Sequence, residues 1–321
     1  MPTSKVVNTG RGVRRMEGLS IGITGSDKFL SGDLQSRKAL TKRLATSEID
    51  HLFVADHISF HTGFGMDALI NAATLSAMLP EMTIVTGVYL LALRHPVAVA
   101  RQLSSLSLSA PGRLIFGVGI GGEDRHEMEI CGVDPSKRGK HTNHSLTAIR
   151  ELVSGKEVSY DCDFFSYENA RISPKPDPKI PILIGGRSEA ALKRTAKYGE
   201  GWLGVWVSPE RFEMAVRQIA DLKAKDQEDQ WMHGIQVWAG VGDSARENLA
   251  RGMEAIYKIP FEKFERYSPY GSPEKIAEFL CDYVRSGARI INIEARGSSI
   301  EESIEGVSSI SALLHKEFPT L

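Results

Sequence analysis

The sequence predicts an α/β protein built as a (β/α)8 TIM barrel, and three observations carry that expectation. Short, continuous Val/Ile/Leu-rich runs recur along the chain, as expected of parallel strands covered by helices. Each run is followed by at least one helical segment, and strict strand–helix alternation argues for a parallel architecture. Eight such units fit the 321 residues and are the number that closes a barrel. The rival is a doubly wound open sheet, but no strand leads into the G-x-G-x-x-G turn and later acidic residue of a dinucleotide fold.

The first run is LSIGIT (19–24), followed by the polar helical stretch GDLQSRKALTKRLATSE with Asp33 as its cap. DHLFVADH, a helix over 67–78 and MTIVTGVYL come next, then a helix over 96–108 and GRLIFGVGIGG. The rhythm pauses after Glu123 and resumes with a helix over 143–153, and a hairpin-like stretch (158–172) then interrupts it. IPILIGG, a helix over 189–198, GWLGVWV, a helix over 209–225 and GIQVWAGVG restore the alternation. A helix over 245–257 and a looser insertion precede a helix over 273–286, the last strand ARIINIEA and a closing helix over 301–316. Insertions are thus expected after strands four and seven. No Pro/Gly/Ser-rich linker divides the chain, so 19–321 reads as one barrel domain and 1–18 as a flexible amino-terminal arm.

Composition narrows the function classes. Hydrophobic residues make up 42% and charged residues 25%, ordinary for a chain with a sizeable core. Lys and Arg number 39 against 40 Asp and Glu, which gives no electrostatic case for nucleic acid or an anionic membrane. No apolar stretch approaches the ~20 residues that cross a bilayer. Cys131, Cys162 and Cys281 are far apart and odd in number, which argues against a disulfide framework or a zinc site and fits a reducing, cytoplasmic setting.

Functional residues of such barrels gather at strand C-termini and the loops that follow. Asp56-His57 ends the second strand run, where a histidine can exchange a proton near neutral pH and an adjacent aspartate can tune it or bond a cofactor. The bland alternative is a buried histidine beside a loop-capping aspartate. His61 lies four positions on, but the loop is glycine-bearing and offers no third ligand, so no metal is expected. Gly87-Val88 breaks the third strand, as a bulge, a ligand's close approach or a tight bend would. Gly185-Gly186 ends a buried strand, and a helix opens directly after Arg187-Ser188. Free N–H groups, the helix dipole and Arg187 suit a phosphate there, against the simpler reading of Ser188 as a cap. The strand end GVGIGGED, with Gly119 and Gly121, could admit a flat ring or merely relieve crowding.

These pieces in this order resemble the luciferase-like monooxygenase superfamily, barrels that use FMN or the deazaflavin coenzyme F420. The residues that carry the resemblance are Ala55-Asp56-His57, TGV in the third strand, LRHPVAVARQLSSLSLSAPGRLIFGVGIGG, Arg138-Gly139, IPILIGGRSEAALKRTAKYGEGW and GSPEKIAEFLCDYVRSGARIINI. It runs from about Leu19 to the carboxyl end. In the F420 branch it implies that Asp56 and His57 lie beside the deazaflavin and that a non-prolyl cis peptide at Gly87-Val88 supports the ring. It also places a phosphate at Gly185, Gly186, Arg187 and Ser188.

The sequence departs from the sugar-phosphate dehydrogenases of that branch. No tryptophan follows the histidine in ISFHTGFG, and Gly122 precedes Glu123 where those proteins place glutamate directly after G-V-G-x-G. A role for Glu123 is therefore doubtful, and glucose 6-phosphate is disfavoured as substrate. The expected activity is an F420-dependent hydride transfer to or from a small organic substrate, with His57 handling the proton. The alternatives are an FMN-dependent monooxygenase using reduced flavin and oxygen, and a non-catalytic flavin-binding relative. Family habit suggests a homodimer.

Overall fold

Eight strands follow one another around a closed ring in the computed structural model, which describes residues 18–24, 29–61, 63–223 and 231–321. They are β1 (Ser20–Thr24), β2 (His51–Val54), β3 (Thr83–Thr86), β4 (Leu114–Gly119), β5 (Ile182–Gly185), β6 (Gly201–Val205), β7 (Gly234–Val241) and β8 (Ile290–Arg296). Every neighbouring pair is parallel, Ile182 stands opposite Phe116 between β4 and β5, and Ser20 opposite Ile290 closes the ring. The barrel expected from the alternation is thus present. The expected amino-terminal arm lies, apart from Gly18, outside the described residues.

Alternation along each strand separates two apolar layers. Phe53, Val85, Ile115, Leu183, Leu203 and Ile290 meet one another inside the ring. Their neighbours Leu52, Ile84, Leu114, Ile182 and Trp202 face the helices in the main core. The lower interior is polar: His51 bonds Ser20 Oγ at 2.8 Å and Asn292 Oδ1 at 2.6 Å, and all three residues are buried. Gly22 makes room for that imidazole, since a Cβ there would stand 2.1 Å from His51 Nε2.

The helices are α1 (Leu34–Ala45), α2 (Ala68–Met78), α3 (Pro96–Ser109), α4 (Arg125–Ile130), α5 (Arg138–Leu152), α6 (Glu189–Tyr198), α7 (Pro209–Leu222), α8 (Ala245–Tyr257), α9 (Pro273–Arg285) and α10 (Ile300–Glu317). Caps fix their starts: Asp33, Asp67 and Ser188 accept from backbone N–H groups of the first turn, and Pro opens α3, α7 and α9. Helix α5 begins earlier than its apolar pattern shows, because its first turns bury Thr142 and Ser145 rather than aliphatic residues.

Insertions follow β4 and β7, as expected. The first comprises α4 and the hairpin Glu157–Asp161/Ser166–Arg171 after α5; the second holds two 3-10 turns and a short strand, Tyr270–Gly271, that pairs with β7. One more insertion was not expected. The segment after β2, read as a loop, forms an antiparallel hairpin of His57–Phe60 with Phe64–Met66 at the mouth.

Candidate active site at the barrel mouth

Strand β3 stops at Thr86, the Gly87-Val88 peptide is cis, and the chain resumes pairing with β4 at Tyr89 and Leu90. Val88 then seats its methyl groups against two strand ends. A Cβ on Gly119 would lie 2.2 Å from Val88 Cγ2, and one on Gly185 would lie 2.6 Å from Val88 Cγ1. These two glycines are therefore needed for Val88 before any ligand is considered. Together they leave a floor free of large side chains beneath a cavity of about 480 Å³. Gly121 continues the floor with φ of 61°, and Gly186 leaves β5 with φ of 118°.

His57 lines this cavity from the hairpin, half-buried, with its ring 4.2 Å from that of Phe60. Its Nδ1 lies 3.0 Å from Glu127 Oε2, on α4. Glu127 Oε1 also accepts from the backbone N–H of Ile58 at 2.6 Å and of Ser59 at 3.1 Å. Burial raises the Glu127 carboxyl, but His57 and these two N–H donors outweigh it and hold the group below its ordinary range. The neighbouring Asp124 caps α4 through His126 N–H at 2.9 Å and accepts from His61 N–H at 2.7 Å. Sequence reasoning passed over Glu127. The signal was an acidic residue one helical turn beyond Glu123 in a short segment with no apolar periodicity.

Glu123 itself lines the cavity, so the doubt raised by its shifted spacing does not remove it from the mouth. Its side chain is exposed at the mouth, yet the protein crowded around it disfavours the charge and pushes its carboxyl up, against the pull of His57, Arg187 and His61.

Asp56 is among the residues lining the cavity, with its side chain wholly buried. Arg94 grips both oxygens, Leu90 N–H donates to Oδ2 at 2.9 Å and Ala68 N–H to Oδ1 at 3.1 Å. Arg94 also reaches Asp67 at 3.1 Å and stacks on the Tyr89 ring at 4.4 Å. A desolvated carboxylate takes the donors nearest to it, and the arginine of the R-H-P run supplies a bidentate pair. Asp56 ties β2, α2 and the segment after Gly87-Val88 together beneath the mouth.

At the opposite rim, the carbonyl of Gly186 accepts from Trp202 Nε1, Ser188 Oγ accepts from Ala191 N–H at 3.3 Å, and α6 begins. Ser188 is thus a cap, as the simpler reading had it, and both it and Arg187 are exposed. The Arg187 guanidinium lies 5.5 Å from the Trp206 ring. Trp206, His61 and Lys258 carry positive φ of 50°, 48° and 56°, and all three line the cavity. Non-glycine residues held in that region concentrate at functional sites. Trp206 is braced by Tyr257 and Phe264, each 4.9 Å away. Among the described residues no group of three or more His, Cys, Asp or Glu is placed to hold a metal, and no helix is long and apolar enough to cross a membrane.

The family model for luciferase-like monooxygenases matches residues 24–268. An F420-dependent glucose-6-phosphate dehydrogenase of Microbacterium testaceum is 31% identical over 184 residues, 56% of this chain and 54% of that protein. A 5,10-methylenetetrahydromethanopterin reductase of Archaeoglobus fulgidus is 28% identical over 173 residues, 54% of this chain and 50% of that protein. The chain thus spans about half the length of these curated relatives. An F420-dependent secondary alcohol dehydrogenase, solved with an F420-acetone adduct, superposes with a TM-score of 0.77 at 17% identity, covering 93% of this chain and 99% of its own. The FMN complex of the oxygenating constituent of 3,6-diketocamphane monooxygenase from Pseudomonas putida superposes at 0.70 with 13% identity, over 94% and 99% of the two chains. At such identities these structures share the fold.

Proposed function

Because this chain belongs to the luciferase-like monooxygenase family, we propose that it is an F420-dependent oxidoreductase acting on a small organic substrate. The observation that carries the reading is His57, anchored by Glu127 on the wall of the cavity whose floor is Gly87, Val88, Gly119 and Gly121. The curated relative with F420 in its name, the glucose-6-phosphate dehydrogenase of Microbacterium testaceum, supports the deazaflavin over FMN.

The residues fit such a group. A floor of glycines and one valine accepts a flat ring without a side chain in its way. Gly185 and Gly186, with the N–H groups at the start of α6, Arg187 and the Ser188 hydroxyl, suit its phosphate. Bound deazaflavin supplies a ring carbon that gives or takes hydride. The protein's part is to hold that ring against the substrate, shut out water with the hairpin and the Trp206 wall, and exchange one proton at His57 Nε2. Asp56 acts by fixing the floor segment rather than by touching the ring.

The fold is also that of an FMN-binding monooxygenase, and a reaction that requires oxygen would favour that reading. The test is the His57→Ala variant. Its F420 affinity is expected to stay near wild type while turnover on alcohols and ketones, followed under nitrogen, falls about 100- to 10,000-fold. A variant that turns over at full rate removes the proton-transfer role.

A further inference from the structure

We propose that Glu127 is a positioning residue that fixes the tautomer of His57, placing the proton on Nδ1 and leaving Nε2 as the basic nitrogen at the cavity. The inference rests on the reading of His57 as the proton-exchanging group, and it concerns how that group is prepared.

Glu127 is 3% exposed and needs hydrogen-bond donors to offset lost hydration. An ionised carboxylate can only accept. Both backbone donors, Ile58 N–H and Ser59 N–H, go to Oε1, and His57 Nδ1 lies nearer Oε2, at 3.0 Å against 3.3 Å from Oε1. A bond at that distance needs its proton on Nδ1. In the neutral ring the lone pair then belongs to Nε2, across the imidazole from Glu127. The tautomer follows from the chemistry of the partner.

The ring's orientation is secured as well. Phe60 packs against one face at 4.2 Å and 32°. The backbone that carries His57 is held by the same helix that holds its side chain: Glu127 and Asp124 together bind the N–H groups of Ile58, Ser59 and His61. That helix is delivered by the turn leaving the floor at Gly119, through Gly121 and Gly122 with φ of 61° and 121°. The floor and the imidazole are therefore joined by one short run of chain. Two carboxyl groups act on the ring, Glu127 by direct bonding and Glu123 from nearby, while His61 and Arg187 act in turn on Glu123. Of these, Glu127 alone has a hydrogen bond to the imidazole among the described residues.

The isosteric variant Glu127→Gln gives the sharpest test. The two backbone N–H groups keep the amide oxygen in the Oε1 position, so the amide nitrogen takes the place of Oε2 and donates to Nδ1. His57 must then carry its proton on Nε2. Long-range proton–nitrogen correlation spectra of the full chain labelled in histidine, with the His57→Gln spectrum identifying one signal among nine histidines, read the tautomer directly. Wild type is expected to show Nδ1–H, and Glu127→Gln to show Nε2–H with kcat reduced about 100-fold and F420 affinity retained. Wild type showing Nε2–H in the neutral ring, or the variant keeping Nδ1–H, overturns the proposal. Should Glu127→Gln fail to fold by circular dichroism, the wild-type spectrum still decides. Failure of the functional reading would look different, as a wild type that holds the expected tautomer but binds no deazaflavin.

Discussion

A carboxylate withdrawn from water keeps its charge only where donors replace the lost hydration, and Asp56 and Glu127 solve that problem in different ways. Asp56 takes Arg94, Leu90 N–H and Ala68 N–H, and so becomes a fastening between three segments. Glu127 takes two N–H groups and one imidazole, and so acts on a group that faces the cavity. The sequence marks Asp56 and His57 alike, as polar residues at a strand end. What separates them is the position of Arg94, in a different loop, and no local pattern reveals which carboxylate it will capture. Glu127 was missed for the converse reason, since nothing in RHEMEI says that a histidine distant in sequence will need it. Asp56→Asn leaves Arg94 half-paired in a buried place, which is expected to cost about 3 kcal/mol in urea unfolding. A variant of unchanged stability would return Asp56 to a direct cofactor role.

At the scale of elements, the short hairpin after β2 and helix α4 form one unit joined by carboxylates rather than by apolar packing. Ile58 and Phe64 remain exposed on it. That explains why the hairpin escaped the sequence: its alternation buries little, whereas the barrel helices announced themselves through caps and aliphatic stripes. The unit should respond to acid. The carboxyls of Glu127 and Asp124 are held below their ordinary values of 4.5 and 3.8, the first by His57 and backbone N–H groups against burial, the second chiefly by His61 N–H. A lowered carboxyl stabilises the folded form above its ordinary value and loses that contribution as pH falls through the folded one. Amide-exchange protection of Ile58, Ser59 and His61 is thus expected to be constant above pH 4.5 and to fall below it, before the barrel strands open. Protection that persists unchanged at about pH 2 would show that the carboxylates do not hold the unit.

The whole molecule was the most legible level. Strands that are apolar on both faces, alternating with capped helices, leave few ways to fold, and closure follows once eight units are counted. Gly119 and Gly185 were legible as places of close approach, although the partner they first accommodate is Val88 rather than a ligand. The choice between two related ring cofactors was less legible, because both would rest on backbone and small side chains that scarcely distinguish them. Direct titration of the purified protein with oxidised F420 and with FMN, followed by fluorescence, addresses that choice and the central claim at once. Saturable F420 binding, at least tenfold tighter than FMN and lost on filling the floor with Gly119→Leu, is the expected result. Preference for FMN, or a mouth that binds neither, would contradict it.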